Sequence, residues 1–440
     1  HLHYLWTRGR GYNRGMSETV RIEKCVYGGD GMGRLPDGRA VFVPFTLPGE
    51  EVLLEIWEEN KGFARGRAVE VRNPSAQRIA ARCPHYGVCG GCHYQHLPYA
   101  DQLELKLQIL TDQLARLGGI PNPPLSGITP TPEIWNYRNH VQFHLDEQGQ
   151  PGYMDLSGKQ VVPISQCFLP LPDLEALRLQ LDLSPEAGLS RVVLRQDSLG
   201  EQFILLEGSD ELGPEMSLDL PASVSYLGPD KRAITLAGQD QLIFEVRGKQ
   251  LTVSPESFFQ VNAGVAQEML SHVLSLLPAR NDVRILELFS GAGFFSVFLA
   301  ERCRELIAVE SSPSACFDFA GNLDAFDHVS LYEGAVEQVL PGLADDLQGI
   351  DLVVLDPPRS GLQPAARKAL QELGAAEIIY ISCDPSTLAR DLKHLIAAGY
   401  TLRDLRAFDM FPQTYHIEAV AVFTNEKSDT KGRYVFDFLQ

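Results

Sequence analysis

From Ser254 onward the sequence alternates helical periodicity with short apolar runs, and this alternation limits the possible folds more than any other feature. A helix is predicted around 263–277, and apolar strands at 284–288, 305–309, 352–355 and 378–382 are each preceded or followed by a helix. Strands separated by helices of this length predict a doubly wound, mostly parallel sheet. We therefore expect a C-terminal α/β domain at 253–425, with its ligands at the carboxyl ends of the strands.

The preceding residues predict two further domains. In 16–78, short β-rich runs at 20–26, 40–43, 52–57 and 68–71 alternate with turn signals such as Gly-Gly-Asp-Gly-Met-Gly at 28–33, which favours a small barrel of the oligonucleotide-binding type. Residues 79–252 are expected to form a central α+β domain, in which 98–118 has leucines at helical spacing and is expected to pack on the C-terminal domain. Residues 1–15 precede Met16 and are expected to be a leader or expression remnant, and 426–440 a tail.

A glycine turn marks a cofactor site. The apolar strand that ends in Leu288 runs into Phe289-Ser290-Gly291-Ala292-Gly293, where the backbone can approach a ligand closely. Ser296 stands where a dinucleotide fingerprint has Gly or Ala, which disfavours a nicotinamide cofactor. Glu310, at the end of the next strand, is placed to bind the hydroxyls of an adenosine ribose, although it could instead cap a helix.

Three acidic or nucleophilic groups follow later strands. Asp356-Pro357-Pro358 ends one strand, and the next residue is Arg359 rather than the aromatic ring typical of enzymes that methylate exocyclic amines. Cys383 follows another apolar run, as either an inert buried residue or a nucleophile. A thiolate that adds to carbon 6 of uracil activates carbon 5, and a base must later remove the carbon 5 proton. Glu418 and His416 are equally placed to be that base.

Several segments resemble, in their order, the RNA uracil-5 methyltransferase family over roughly 17–425. They are Glu256 to Asn262, Phe289 to Gly293, Asp356 to Gly361, Ser382 to Pro385 and Asp409 to Glu418. The resemblance implies S-adenosyl-L-methionine as cofactor, Cys383 as nucleophile and Glu418 as base. The residues that it places at the cofactor are Gln260, Phe289, Phe294, Glu310 and Asp356, to which the glycine turn adds Gly291 and Gly293. Phe294 replaces the asparagine usual in the family.

Residues 16–78 also resemble a TRAM domain, a small RNA-binding barrel, through Tyr27 to Gly33 and Phe45 to Glu50. The net charge of −19 requires any RNA site to be locally basic. The candidate for such a site is an arginine stretch, with a solvated face as the alternative: Arg65, Arg67, Arg72, Arg78 and Arg82.

Clustered cysteines predict a metal centre. Cys83, Cys89 and Cys92 are spaced closely, and Cys167 can complete a set of four. Four thiolates suit an iron–sulfur cluster or a structural zinc. Members of the resembled family carry this arrangement around a 4Fe-4S cluster, which favours iron and sulfur in a structural role. Cys25, Cys303 and Cys316 are expected to be ordinary apolar residues.

The sequence thus predicts a cytoplasmic, monomeric enzyme without a membrane segment. Its expected partner is RNA. A TRAM domain combined with four such cysteines resembles the branch of the family that acts on 23S ribosomal RNA, and transfer RNA is the alternative. Two other classes are an iron–sulfur electron-transfer protein, which leaves Cys383 and Glu418 unexplained, and a non-catalytic RNA-binding protein.

Overall fold

The computed structural model describes residues 17–211, 213–214, 220–343 and 347–425. These residues divide into two compact units. The first unit contains the chain up to Arg82 together with Cys92–Leu105 and Gln413–Tyr415, and the second contains the rest. No helix in the described ranges is long and apolar enough to cross a membrane. The expected leader at 1–15 and the tail at 426–440 lie outside the described residues.

The first unit contains a closed five-stranded barrel. Its strands are β1 (Ser17–Cys25), β2 (Asp30–Arg34), β3 (Ala40–Pro44), β4 (Glu51–Glu59) and β5 (Phe63–Asn73), joined in the order β1-β2-β3-β5-β4. Alternate residues point inward, and Val41, Val43 and Val52 are fully buried. The turn predicted at 28–33 is shorter in the structure. Of its four glycines, Gly28 and Gly29 have a positive φ, and β2 begins at Asp30. Gly31 continues into β2, where a Cβ would lie 2.2 Å from Thr46 Oγ1.

One long helix contains the point at which the chain passes from the first unit to the second, between Leu105 and Lys106. Helix α1 spans Tyr99–Gln113 and continues as a π-helical turn at Leu114–Gly118, which ends at Gly119 in the left-handed region. The predicted helix at 98–118 is therefore present. Within the second unit, the turn at Leu114–Gly118 packs against a helix at Pro385–Ala397.

The second unit contains a mostly antiparallel middle sheet. The chain first forms β6 (Leu125–Thr129), which belongs to another sheet. The middle sheet then follows, with one helix against it: β7 (His140–Leu145), β8 (Pro151–Met154), β9 (Val161–Pro163), α2 (Pro172–Arg178), β10 (Leu189–Gln196), β11 (Gln202–Gly208), β12 (Ala222–Leu227) and β13 (Ala233–Ala237). Its strand order is β13-β12-β11-β10-β7-β8-β9. Phe143, Leu174 and Leu194 are fully buried in its core.

An eight-stranded sheet carries the predicted α/β fold. The elements are β14 (Leu242–Val246), β15 (Lys249–Val253), α3 (Ala263–Ser275), β16 (Arg284–Leu288), α4 (Ser296–Leu299), β17 (Glu305–Glu310), α5 (Pro313–Asn322), β18 (Val329–Glu333), α6 (Val336–Val339), β19 (Leu352–Leu355), α7 (Pro364–Leu373), β20 (Glu377–Ser382), α8 (Pro385–Ala397), β21 (Tyr400–Phe408) and β22 (Glu418–Asn425). The sheet order is β18-β17-β16-β19-β20-β22-β21-β6, with β16 to β20 parallel and β22 antiparallel to β20. The strand order reverses at β16, where such sheets bind ligands.

Two segments join this sheet or its core from outside the predicted domain. Strand β6 lies in the proline-rich stretch before the middle sheet and pairs in parallel with β21. The hairpin of β14 and β15 shares one hydrophobic core with α3 and β16 through Phe244 and Leu251. A five-residue strand between prolines has too little periodicity to be recognised in the sequence.

Candidate active site

The predicted functional residues meet at one edge of the eight-stranded sheet. Gly291 and Gly293 follow β16, Glu310 ends β17, Asp356 follows β19 and Cys383 follows β20. Strand β22 runs in the opposite direction, so its first residue reaches the same edge. Ser382 pairs with Ala419, which places Cys383 opposite Glu418 across the two strands.

The glycine turn and Glu310 are linked directly. Gly291 N–H donates to Glu310 Oε2 at 2.9 Å, and the amides of Ser311 and Ser312 donate to Oε1 at 2.6 and 2.7 Å. Because Ser312 is the N-cap of α5, the helix-capping role considered for Glu310 is present in part. Phe289 has a φ of 62°, an unfavourable value for a residue with a Cβ. Such strain is common where a backbone must be held close to a ligand.

Beneath the glycine turn, Glu287 is buried and accepts a hydrogen bond from Ser296 Oγ at 2.6 Å. Burial raises the pKa of Glu287 to about 8, with contributions in the same direction from the charges of Asp356 and Glu310. Burial also raises the pKa of Asp356 to about 7. This edge of the sheet therefore concentrates buried carboxyl groups whose ionised forms are disfavoured.

Cys383 lies among these acids. Burial, together with the charges of Glu418 and Asp356 and against the opposing effect of Arg359, raises the pKa of its thiol to about 12. Such a thiol is protonated at neutral pH. An approaching ligand with positive charge, or a neighbour that takes the proton, is needed to generate the thiolate.

The two candidate bases differ in their surroundings. Glu418 is only 8% exposed, and burial raises the pKa of its carboxyl to about 8, while Asp356 raises it and Arg359 lowers it. His416 is partly exposed; its Nε2 lies 3.2 Å from Arg359 Nη2, and its ring meets Phe411 edge-on with centroids 5.4 Å apart. Glu418 is thus the candidate that faces Cys383, and His416 contacts the neighbouring arginine.

Gln260 and Phe294 lie on one small cavity, which is also lined by Phe244 and Phe259. Asn139 Nδ2 donates to Gln260 O at 3.1 Å and so ties the segment to the middle sheet. Phe294 is 7% exposed and packs edge-on against Phe259 with centroids 5.6 Å apart. The ring that replaces the family's usual asparagine is therefore a core group and offers no hydrogen bond to a cofactor.

Three of the four predicted metal-binding cysteines belong to the second unit, and Cys92 belongs to the first. His85 Nε2 lies 2.8 Å from Ser165 Oγ and links the loop of Cys83 and Cys89 to that of Cys167. Burial raises the pKa of Cys89 to about 12, and the charges of Cys167 and Cys83 contribute to that increase, so the thiols influence one another. No group of three or more potential ligands in the described part of the chain is arranged to hold a metal ion.

The three cysteines that were expected to be ordinary apolar residues are buried in the structure. Cys25, Cys303 and Cys316 are buried, and none of the three forms a disulfide. Burial raises the pKa of Cys303 and of Cys316 to about 11, which makes both unreactive.

The arginine stretch was expected to be locally basic, but most of its arginines lie beside carboxylates. Most of it lies on or beside β5, with carboxylates next to it: Arg65 with Asp30 and Glu58, Arg67 with Glu55, Arg72 with Glu70, and Arg78 with Glu50. Strand β4 explains part of the difference, because its Glu55 and Glu58 lie opposite Arg67 and Arg65 of β5 although they are distant in sequence. Four of the five arginines are therefore compensated within the barrel.

Three residues near the site were not singled out by the sequence. Two of them, Lys106 and Asp391, are fully buried charged residues. The third, Asn139, donates a hydrogen bond to the Gln260 carbonyl. Lys106 Nζ donates to Asp409 Oδ1 at 2.5 Å and to Phe411 O at 3.0 Å. The sequence feature that could have revealed Lys106 is its position between Leu103 and Leu107 on the apolar face of a helix.

Comparison with known proteins identifies similar chains. The sequence model of a family described as "tRNA (Uracil-5-)-methyltransferase" matches residues 238–426, and that of the TRAM domain matches 13–69. An "uncharacterized RNA methyltransferase" of Aquifex aeolicus is 36% identical over 92% of this chain and 97% of its own length. The "23S rRNA (uracil(1939)-C(5))-methyltransferase RlmD" of Pectobacterium atrosepticum is 31% identical over 94% of this chain and 95% of its own length.

A solved structure is also similar over most of the chain. It is the Pyrococcus abyssi tRNA (uracil-54, C5)-methyltransferase in complex with S-adenosyl-L-homocysteine. It is 25% identical, has a TM-score of 0.70, and covers 93% of this chain and all of its own.

Proposed function

We propose that this chain, which belongs to the RNA (uracil-5-)-methyltransferase family, methylates carbon 5 of a uridine through a covalent adduct with Cys383. The observation that carries the mechanism is the pairing of Ser382 with Ala419, because it sets a thiol opposite a buried carboxyl at the ligand-binding edge. Membership of the family makes the chain an RNA (uracil-5-)-methyltransferase. The alternatives of an electron-transfer protein and a non-catalytic RNA-binding protein are set aside.

The cofactor that we propose is S-adenosyl-L-methionine, which supplies the methyl group when bound. Support comes from the solved relative, which holds the demethylated product of that cofactor. The residues that would hold it here are Gln260, Phe289, Gly291, Gly293, Glu310 and Asp356. Glu310 Oε2 already fixes the Gly291 amide, so the glycine turn is shaped before a ligand arrives. Phe294 lines the same small cavity as Gln260, and we propose it as a packing contact for the cofactor, because its ring offers no hydrogen bond.

In the mechanism, the Cys383 thiolate adds to carbon 6 of the uracil, and the ring becomes an enolate that is nucleophilic at carbon 5. After carbon 5 has been methylated, Glu418 takes the proton from that carbon. The electron pair of the carbon–hydrogen bond re-forms the double bond and expels the thiolate. A carboxylate whose pKa is raised to about 8 is a stronger base once ionised than an ordinary one. Arg359 favours the ionised forms of both groups.

The substrate that we propose is 23S ribosomal RNA. The ribosomal RNA relative is 31% identical over 95% of its length, whereas the transfer RNA relative of known structure is 25% identical. The test is incubation of the purified chain with labelled cofactor and with each RNA transcript, followed by mass spectrometry of nuclease digests. We expect 5-methyluridine in the ribosomal transcript. Methylation confined to the transfer RNA would overturn the substrate, and methylation of another atom would overturn the reaction.

We further propose that Cys83, Cys89, Cys92 and Cys167 bind a 4Fe-4S cluster with a structural role, and that the TRAM barrel at 16–78 binds RNA. The cluster is supported by the thiol set and by the contact between His85 and Ser165, which joins the loop of Cys83 and Cys89 to that of Cys167. Protein purified without oxygen is expected to contain about four irons per chain. Colourless protein with stoichiometric zinc would replace the cluster by a zinc site.

A further inference from the structure

Asp391 is a buried carboxylate with an unusual number of donors. It lies on α8 and is fully buried. Its oxygens accept hydrogen bonds from Tyr380 Oη at 2.8 Å, Leu362 N at 2.8 Å, Arg367 Nη1 at 3.0 Å and Arg390 Nε at 2.9 Å. Two arginines on one buried carboxylate are expensive to desolvate, and apolar residues would fill the same space at less cost. A network of this kind is useful where it fixes one geometry.

The geometry that this network fixes is the loop after Asp356. Arg390 Nη2 donates to Ser360 O at 2.9 Å and to Leu362 O at 3.2 Å. Gly361 has a φ of 65°, and a Cβ there would lie 2.6 Å from Asp391 Oδ2. Glycine is therefore required for the loop to close onto the carboxylate. Asp391 and Arg390 thus bind Ser360 and Leu362 and close against Gly361 between them.

The adjoining residue of the loop is Arg359. Its carbonyl accepts a hydrogen bond from Thr387 Oγ1 at 3.0 Å, so α8 also holds this residue by its backbone. Its guanidinium contacts His416 Nε2. The same guanidinium lowers the pKa of the Cys383 thiol and of the Glu418 carboxyl. The charged groups that act on Cys383 are Glu418, Asp356, Arg359 and Asp384.

We propose that Asp391 is a positioning residue for the methyl-transfer reaction: it braces residues 360–362 so that Arg359 is held beside Cys383 and Glu418. This inference rests on the proposed role of Cys383 as nucleophile. Asp391 reaches neither substrate nor cofactor in this scheme and acts through the placement of the arginine. His416 acts on the other end of the same residue, as a neighbour of the guanidinium.

The test measures the reactivity of Cys383 without RNA. Wild type, Asp391→Asn, Arg359→Ala and the double variant are treated with iodoacetamide at one pH, and alkylation of the Cys383 peptide is followed by mass spectrometry. The rate reports the thiolate fraction. Each single change should slow alkylation by about three- to tenfold, the effect of roughly half to one pKa unit. The double variant should be no slower than Arg359→Ala, because Asp391 acts only through Arg359.

Two further variants keep the test decisive. Arg284→Gln removes a partly buried ion pair with Glu305 at the opposite edge of the same sheet and should leave alkylation unchanged. If Asp391→Asn does not fold, Thr387→Val removes the donor to Arg359 O and should slow alkylation by a smaller factor of the same sign. The proposal would be overturned if Asp391→Asn were alkylated at the wild-type rate. The same holds for Thr387→Val if Asp391→Asn does not fold. It would also be overturned if the double variant were slowed by the product of the two single effects. The covalent RNA adduct is measured separately in Glu418→Gln, where the carbon 5 proton has lost its base, so its absence from that variant would instead overturn the proposed function.

Discussion

Glu50 in the barrel and Glu418 at the edge of the large sheet are both buried carboxyls, yet their pKa values move in opposite directions. Burial by itself would raise the pKa of Glu50. The Arg78 guanidinium and the amides of Ser75 and Leu47 outweigh burial, so the pKa lies below its ordinary value. Glu418 is also desolvated and has a nearby Asp356 in place of those donors, so its pKa rises to about 8. Glu50 is thus a compensated carboxyl, whose neighbours stabilise its charge, whereas Glu418, which we assign to catalysis, is left under-compensated at the ligand-binding edge.

The strongest way to break this comparison is to remove the nucleophile. Cys383→Ala should lower methylation by a factor on the order of 10⁴ or more, because no other group can activate carbon 5. Labelled cofactor and an RNA transcript provide the measurement. Cys303→Ala is the matched control, since that thiol is also buried and raised in pKa but precedes β17, at the end of the strand away from Glu310; its methylation rate should stay within about twofold. Substantial turnover by Cys383→Ala would mean that the under-compensated edge does not act through this thiol.

A second change breaks a compensated pair. Lys106 and Asp409 are both fully buried, and Lys106→Met leaves the carboxylate without its cation. The loss should reduce the free energy of unfolding by about 3–5 kcal/mol, as for other buried pairs that lose one partner. Urea denaturation measures it. The double variant Lys106→Met with Asp409→Leu should recover part of the loss, and a single variant as stable as wild type would show that the pair is not structural.

The pH dependence of stability sharpens the contrast between the two glutamates. The folded-state pKa of Glu418 is raised, so its stabilising contribution is full below about 4.5 and is lost as pH rises to about 8. Glu418→Gln should therefore be more stable than wild type above about pH 8, by roughly 1–3 kcal/mol. The pKa of Glu50 is lowered, so its contribution is present above its unfolded value and Glu50→Gln should be less stable at neutral pH. Thermal unfolding at several pH values tests both signs; two variants that shift alike would remove the distinction.

The smallest effect is expected at a compensated surface arginine. Arg67 pairs with Glu55. Arg67→Gln should therefore change the slope of log affinity for RNA against log salt by much less than the value of about 0.7–0.9 per phosphate contact. Affinities over a salt series measure the slope. A decrease of a full contact would restore the basic patch that the arginine stretch suggested.

The sequence was informative where chemistry follows regular elements. The strand ends at Leu288, Leu355 and Ser382 could be predicted because apolar runs and helices alternate, and parallel strands bring their carboxyl ends together. Pairing across long sequence distances could not be predicted in this way. Glu55 compensates Arg67 only once β4 meets β5, and Lys106 meets Asp409 across about 300 residues. The resemblance predicted Phe294 as a cofactor contact, and its packing against Phe259 could be seen only in the fold.

The central claim is that Cys383 and Glu418 act in sequence on one uracil. Glu418→Gln is incubated with RNA and methyl-labelled cofactor, and the products are separated on a denaturing gel. The variant should accumulate a labelled band of protein linked to RNA, because addition and methyl transfer still occur and the carbon 5 proton has lost its base. The same variant combined with Cys383→Ala should give no band, and His416→Asn should turn over without accumulating one. Normal turnover by Glu418→Gln together with a trapped adduct in His416→Asn would contradict the account and move the base to His416.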